Sequence, residues 1–153
     1  MLITHASQLL TLAGGPQIGS DLGRLGIVKD GAVLVRDGLI VEAGPSTELM
    51  TRHPEDEVLD AQNRVVMPGF VDPHTHAVWA GDRIDEFEMI LEGRSYMELL
   101  AAGGGIQATV EATRAASPNE LTAQTRARTQ AMFRNGTTTA EVKTGYGLET
   151  SCE

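Results

Sequence analysis

The sequence has 153 residues, of which 41% are hydrophobic and 22% are charged, as is usual for a soluble globular protein. A net charge of −9, from 12 basic and 21 acidic residues, argues against a nucleic-acid partner, because that binding depends on Lys and Arg. With no long apolar run, no basic signal-peptide region and the single cysteine Cys152, the sequence predicts no membrane span and a cytoplasmic location.

The first 66 residues predict a small antiparallel β-domain. In AVLVRDGLIVEAG (32–44), two Val/Leu/Ile-rich runs meet at Asp37-Gly38, which is a strong hairpin signal. The segment 58–69 has the same pattern, with Asn63 at the turn. Between these segments, Ser46 is expected to cap a short helical turn. His5 and His53 have no partner in the sequence and are interpreted as surface or packing residues.

From residue 65 onward the pattern changes to strand, helices, strand. VVMPGFVD (65–72) predicts a strand buried on both faces. Capping boxes at 95–98 and 117–120 predict two helix starts, and the second helix should run from Pro118 to Asn135. TTTAEV (137–142) is a β-branched strand. This order predicts two parallel strands in an α/β architecture.

Two of the four histidines, His74 and His76, lie one residue apart at the end of the first predicted α/β strand. Residues i and i+2 of a strand point to the same side, with Cα atoms about 7 Å apart, so both imidazoles can bind one metal ion. A bare His-x-His pair is equally often two polar loop residues, but strand ends in parallel α/β proteins are where sites form. The position therefore favours a metal site, although catalytic zinc needs a third protein ligand that the sequence does not reveal.

Several nearby residues are ambiguous on the sequence alone. Arg83 is typical of a surface or salt-bridged arginine, Lys143 can face either a site or solvent, and Trp79 can pack or bind. The glycine-rich segments AAGGGI (101–106) and GYG (145–147) lack the features of phosphate or dinucleotide loops and predict turns.

Longer motifs resemble one family. VMPGFVDPHTHAVWAGDR (66–83) is similar to the first-strand motif of the amidohydrolase superfamily, Pro-Gly-apolar-Val-Asp-x-His-x-His. The blocks GDRIDEFEMILEGRSYMELLAAGGGI, TVEATRAAS and NGTTTAEVKTGYGLE resemble imidazolonepropionases of histidine degradation. The resemblance is specific and extends from about residue 66 to the end of the sequence.

The resemblance implies an α/β fold: the start of a (β/α)8 TIM-type metal-dependent hydrolase barrel, preceded by a small β-sandwich. Residues 1–66 would be the N-terminal part of the sandwich, and residues 67–153 the first two β/α units. A complete barrel takes about 250 residues, of which residues 67–153 supply about a third. The chain is therefore expected to be the N-terminal third of the enzyme and to be inactive alone.

The resemblance also implies a reaction and a site. The family hydrolyses the cyclic amide of 4-imidazolone-5-propanoate to N-formimidoyl-L-glutamate, with one Zn or Fe ion and, in the complete enzyme, as a homodimer. His74 and His76 would be the first two metal ligands. Arg83 would bind the substrate's propionate carboxylate, with Tyr96 and Tyr146 in the same pocket. The base and the remaining ligands are expected beyond residue 153, and Lys143 receives no metal role.

Two alternatives stay open. Another amidohydrolase, such as a deaminase of a cyclic base, would share the His-x-His motif but should lack the KTGYGLE and GRSYMELLAAGGGI blocks. A non-catalytic binding or oligomerisation domain is the other alternative, and a metal assay with a panel of substrates would separate all three.

Overall fold

The computed structural model describes residues 1–152, which form two compact units, Met1–Pro68 and the chain from Gly69 onward. The first unit contains five strands, one α-helix and a short 3-10 helix: β1 Leu2–Leu10, Gly19–Asp21 (3-10), β2 Ile27–Arg36, β3 Leu39–Pro45, α1 Ser46–Arg52, β4 Val58–Asp60 and β5 Val65–Val66. The second unit contains two strands and four helices: β6 Phe70–Thr75, α2 Ile84–Leu91, α3 Tyr96–Ala101, α4 Ile106–Ala115, α5 Pro118–Arg134 and β7 Thr137–Val142. None of the helices within residues 1–152 is long and apolar enough to cross a membrane.

The first unit is a sheet in which β1 is the central strand. β1 pairs with β2 in the antiparallel direction, and β2 pairs with β3 in the antiparallel direction as well. The turn between β2 and β3 has positive φ angles at both Asp37 (52°) and Gly38 (76°), as a type I′ hairpin turn requires. The predicted hairpin is confirmed.

The other edge of β1 differs from the prediction. β4 and β5 do not pair with each other; both pair with β1 in the parallel direction, so the sheet is mixed rather than antiparallel. The predicted turn is present, since Gln62 and Asn63 have φ angles of 53° and 59°. Ser46 is the first residue of α1 rather than its cap, and its buried hydroxyl accepts a hydrogen bond from the His5 amide at 2.9 Å.

One of the two core clusters of the first unit lies between this sheet and α1. Leu2, Leu34 and Leu49 are fully buried in one cluster with Ala32. Leu49 reaches this cluster because α1 folds back on β1 and β2 immediately after β3 ends.

The second unit is built on a parallel pair, β6 and β7, as the sequence predicted. The pairing is extended at both ends, where the Phe70 amide donates to Gly136 O at 2.8 Å and the Lys143 amide donates to Thr75 O at 2.8 Å. The continuous buried strand predicted for 65–72 is wrong in two respects. The segment forms two separate strands, β5 in the first sheet and β6 in the second. Phe70 in β6 is 54% exposed rather than buried.

Four helices connect β6 to β7. The two capping boxes are confirmed, because Ser95 and Ser117 each exchange hydrogen bonds with the residue three positions later. α5 runs from Pro118 to Arg134, close to the predicted bounds, and contributes no fully buried residue. α2 and α4 were not predicted, because neither begins with a side-chain cap.

The Leu49 cluster predicts a large effect of one substitution. Leu49→Ala should lower the free energy of unfolding by about 2–5 kcal/mol, because it removes a fully buried side chain and leaves a cavity. Met50→Ala, at the adjacent and 38% exposed position, is the matched control and should change it much less. Urea unfolding of both variants measures the difference, and equal losses would contradict the placement of α1.

Candidate functional site

The two histidines lie at the carboxyl end of β6. His74 is inside the strand and His76 follows it directly, and their ring centroids are 5.4 Å apart with planes tilted by 59°. The Asp72 carboxylate accepts a hydrogen bond from the His74 amide at 3.1 Å and so helps to fix the end of the strand. His74 is exposed, whereas His76 is partly buried. The geometry brings two imidazoles to one place.

His76 carries a further feature that suits a metal ligand. Its Nδ1 atom is buried and has no hydrogen-bond partner within residues 1–152. A buried polar atom of this kind is uncommon and calls for a physical explanation. A bound cation would provide one, so the pair fits part of a metal site. Residues 1–152 bring no third His, Cys, Asp or Glu to this position.

The loop that follows β7 approaches the same histidine. The Tyr146 ring centroid lies 5.2 Å from that of His76. Gly145 permits this approach, because a Cβ atom at this position would lie 3.1 Å from His76 Cε1. The sequence pattern indicated only a turn here, and the contact depends on the parallel pairing of β6 with β7.

Arg83 is held by a carboxylate on its own helix. It is the N-cap of α2, and its Nε and Nη2 atoms both donate to Glu86 Oε2, with an Nε distance of 2.8 Å. The second oxygen of Glu86 accepts a hydrogen bond from the Gly105 amide at 2.8 Å. Glu86 therefore joins Arg83 to the glycine-rich segment before α4. The sequence pattern gave no sign of this role for Glu86.

The electrostatics of Arg83 are set mainly by Glu86. The hydrogen bonds that Arg83 donates to Glu86 raise the pKa of Arg83 above its ordinary value, and desolvation opposes this shift. Tyr96, at the start of α3, is 68% exposed, and Tyr146 is partly buried. Tyr146 therefore lies beside His76, whereas no hydrogen bond joins Arg83 to either tyrosine within residues 1–152.

The structure shows the surroundings of two further residues that the sequence left ambiguous. The Lys143 ammonium forms an ion pair with Glu141 on β7. Trp79 packs rather than facing open space, with the Arg128 guanidinium over its ring.

Comparison with known proteins gives a consistent result. Residues 57–93 match the amidohydrolase family, and residues 31–55 match an imidazolonepropionase-like composite domain of bacteria. Imidazolonepropionase of Chloroflexus aggregans is 48% identical over all of this chain and 36% of its own length. Those of Herpetosiphon aurantiacus and Deinococcus radiodurans are each 49% identical over 99% of this chain and 35% and 37% of their own lengths. The chain resembles imidazolonepropionases along its whole length. It spans about a third of the length of these relatives.

Solved structures show the same class of fold. An aminofutalosine deaminase of Helicobacter pylori superposes with a TM-score of 0.58 at 16% identity, over 98% of this chain and 31% of that one. Guanine deaminase of E. coli gives 0.54 at 20% identity, over 92% and 30%. At these identities the likeness concerns the mixed α/β fold alone. The closer sequence similarity is to imidazolonepropionases.

Glu86 predicts a pH dependence of stability. The hydrogen bond from Arg83, opposed by desolvation and helped by the Gly105 amide, lowers the pKa of Glu86 below its ordinary value of 4.5. A carboxyl whose folded-state pKa is lowered stabilises the fold above its unfolded pKa and loses that contribution as the pH falls through the folded pKa. Stability should therefore fall from about pH 4.5 downward, and Glu86→Gln should remove that part of the fall.

The measurement is the midpoint of thermal unfolding against pH. Glu88→Gln changes an exposed carboxylate on the same helix and is the matched control. An identical pH profile for wild type and Glu86→Gln would show that the ion pair does not stabilise the fold.

Proposed function

We propose that this chain is part of a metal-dependent hydrolase that opens the cyclic amide of 4-imidazolone-5-propanoate to give N-formimidoyl-L-glutamate in histidine degradation. The observation that carries the proposal is the identity of 48–49% with imidazolonepropionases across the chain. The clustering of His74, His76 and Tyr146 at one end of β6 and β7 supports it.

The architecture of the complete enzyme is part of this proposal. β6 and β7 would be the first two strands of a (β/α)8 barrel, and residues 67–153 would supply its first two β/α units. Residues 1–66 would belong to a small β-sandwich. A cytoplasmic homodimer is the expected form of the complete enzyme. The parallel pair supports the barrel, because successive barrel strands are parallel and connected through helices.

His74 and His76 would hold one Zn or Fe ion, with the remaining ligands and the base supplied by parts of the enzyme outside this chain. When bound, such a metal lowers the pKa of a coordinated water to about 7 and polarises a carbonyl oxygen. Within this chain, the end of β6 would align the two imidazoles, and Tyr146 would cover His76 on one side.

Arg83 is suited to bind the substrate's propionate carboxylate. Glu86 occupies Nε and Nη2, and Nη1 has no hydrogen-bond partner within residues 1–152. The Nη1 edge of the guanidinium can therefore bind a carboxylate while Glu86 holds the opposite edge. In an acidic protein, this fixed cation would attract an anionic substrate, and Tyr96 and Tyr146 would line the same pocket.

The metal assignment predicts the result of a double substitution in the complete enzyme. His74→Ala with His76→Ala should remove the bound metal and all turnover, because the remaining groups cannot hold the ion. His5→Ala with His53→Ala removes the other two histidines and is the matched control. Metal content is measured by elemental analysis. Stoichiometric metal in the first double variant would refute the assignment.

The substrate assignment predicts a loss that depends on the substrate's carboxylate. Arg83→Ala should lower kcat/KM by an amount equivalent to about 2–5 kcal/mol, as for truncation of a desolvated charge pair. The loss should be much smaller for an analogue without that carboxylate. Arg94→Ala, at an exposed arginine before α3, should behave as wild type on both compounds. Equal losses on both compounds for Arg83→Ala would assign Arg83 to folding or chemistry.

A further inference from the structure

Arg128 on α5 reaches the loop that follows His76. Its Nη1 atom donates to Ala77 O at 3.1 Å and to Trp79 O at 2.7 Å, and Nη2 donates to Gln124 Oε1 at 2.9 Å. The Thr125 hydroxyl adds a hydrogen bond to Ala77 O at 3.3 Å. One arginine therefore joins an outer helix to two backbone carbonyls of the loop.

Trp79 connects this arginine to His76. The Arg128 guanidinium carbon lies 3.5 Å from the centroid of the indole ring, well within the range of a cation–π contact. The indole Nε1 donates to His76 O at 3.0 Å. The carbonyl groups of His76, Ala77 and Trp79 are thus all fixed by Arg128 or by the ring stacked against it. We call these three loop residues with Arg128 the loop clamp.

The chemistry of the clamp indicates a role besides packing. Burial lowers the pKa of Arg128, and the hydrogen bonds of its guanidinium go to carbonyl and amide oxygens rather than to a carboxylate. Desolvating a cation without an opposite charge is unfavourable, and an apolar side chain would fill the same space without that cost. An apolar side chain cannot orient two carbonyl groups, whereas the planar guanidinium can.

The consequence concerns the direction of the His76 imidazole. The carbonyl group of His76 itself accepts the hydrogen bond from the indole. The next carbonyl group, that of Ala77, accepts a hydrogen bond from Arg128. Backbone rotation at this point would swing the ring away from His74, whose centroid is 5.4 Å distant. Residues that orient a metal-ligating histidine affect metal affinity without touching the ion.

We propose that Arg128, acting through Trp79 and the loop backbone, is a positioning residue for His76 in the metal site. The proposal rests on the proposed role of His74 and His76 as metal ligands. In this proposal, the loop clamp holds the two imidazoles in the relative orientation that binds the metal, before the metal is present.

The test compares substitutions in the complete enzyme that carries this chain. Arg128→Met keeps much of the side-chain volume and removes the donors, and Arg128→Lys keeps the charge but not the planar fork. Trp79→Phe keeps an aromatic ring and removes the indole donor to His76 O. Arg126→Met is the matched control, because Arg126 lies on the same helix, is exposed, and its side chain makes no hydrogen bond or ion pair within residues 1–152.

Two readouts separate positioning from folding. The first is the dissociation constant for Zn²⁺, with the visible absorption spectrum of the Co²⁺-loaded protein as a report on ligand geometry. The second is the near-UV circular dichroism of the metal-free protein, in which the part due to Trp79 is found by difference from Trp79→Phe. Thermal unfolding midpoints show how far each variant is destabilised.

Arg128→Met should weaken Zn²⁺ affinity by about 10- to 100-fold, as is typical when groups supporting a ligand are lost. It should also change the Co²⁺ spectrum and reduce the Trp79 signal of the metal-free protein. Arg128→Lys should recover part of the affinity, and Arg126→Met should match wild type. If Arg128→Met does not fold, Trp79→Phe provides the same test through loss of a single hydrogen bond to His76 O.

Two results would overturn the proposal, and they differ from each other. If Arg128→Met or Trp79→Phe lowers the unfolding midpoint but leaves Zn²⁺ affinity and the Co²⁺ spectrum unchanged, the clamp serves stability alone. If the His74→Ala, His76→Ala double variant retains Zn²⁺, the metal assignment itself fails, and the positioning role fails with it. If that double variant loses its metal and the first result is also obtained, the metal assignment stands and only the positioning role of Arg128 is wrong.

Discussion

Parallel pairing of β6 and β7 is the constraint on which the candidate site depends. Parallel strands end at the same edge of a sheet, so the loops after β6 and β7 must emerge side by side. His76 comes from the first loop and Tyr146 from the second, and their rings meet although they are distant in sequence. Parallel pairing also requires a crossover, and α2 to α5 provide it. The same crossover begins with α2, whose N-cap is Arg83.

The helices of the crossover also hold the loops directly. Arg128 on α5 binds carbonyl groups of the first loop, and Arg114 on α4 donates to Gly147 O in the second loop at 2.7 Å. The preceding residue, Thr113, accepts a hydrogen bond from the Ala80 amide at 3.1 Å. Loops after parallel strands have few backbone partners of their own, because the sheet ladder has ended. Side chains from neighbouring helices satisfy these groups and fix the loop conformation at the same time.

Local signals in the sequence predicted the local parts of the structure. The Asp37-Gly38 hairpin and the capping box at Ser117 follow from residue types a few positions apart, and both are present. Long-range contacts could not be predicted in this way. The pairing of β4 and β5 with β1, the hydrogen bond of Glu86 to the Gly105 amide, and the reach of Arg128 depend on how distant segments pack. The His-x-His motif predicted that His74 and His76 lie together, whereas the groups that orient them became visible only in three dimensions.

The mixed pairing of β1 has a consequence for the kinetics of folding. β2 and β3 can form a hairpin from neighbouring residues, and β1 can join it across the single connecting segment 11–26. The parallel pairing of β1 with β4 and β5 should form later. Leu2 pairs with Val58 and Gln8 pairs with Val65, and closing such long loops is entropically unfavourable. Contacts of this separation slow folding relative to local ones. β1 is therefore expected to pair with β4 and β5 late in folding, after β1, β2 and β3 have formed a three-stranded antiparallel meander.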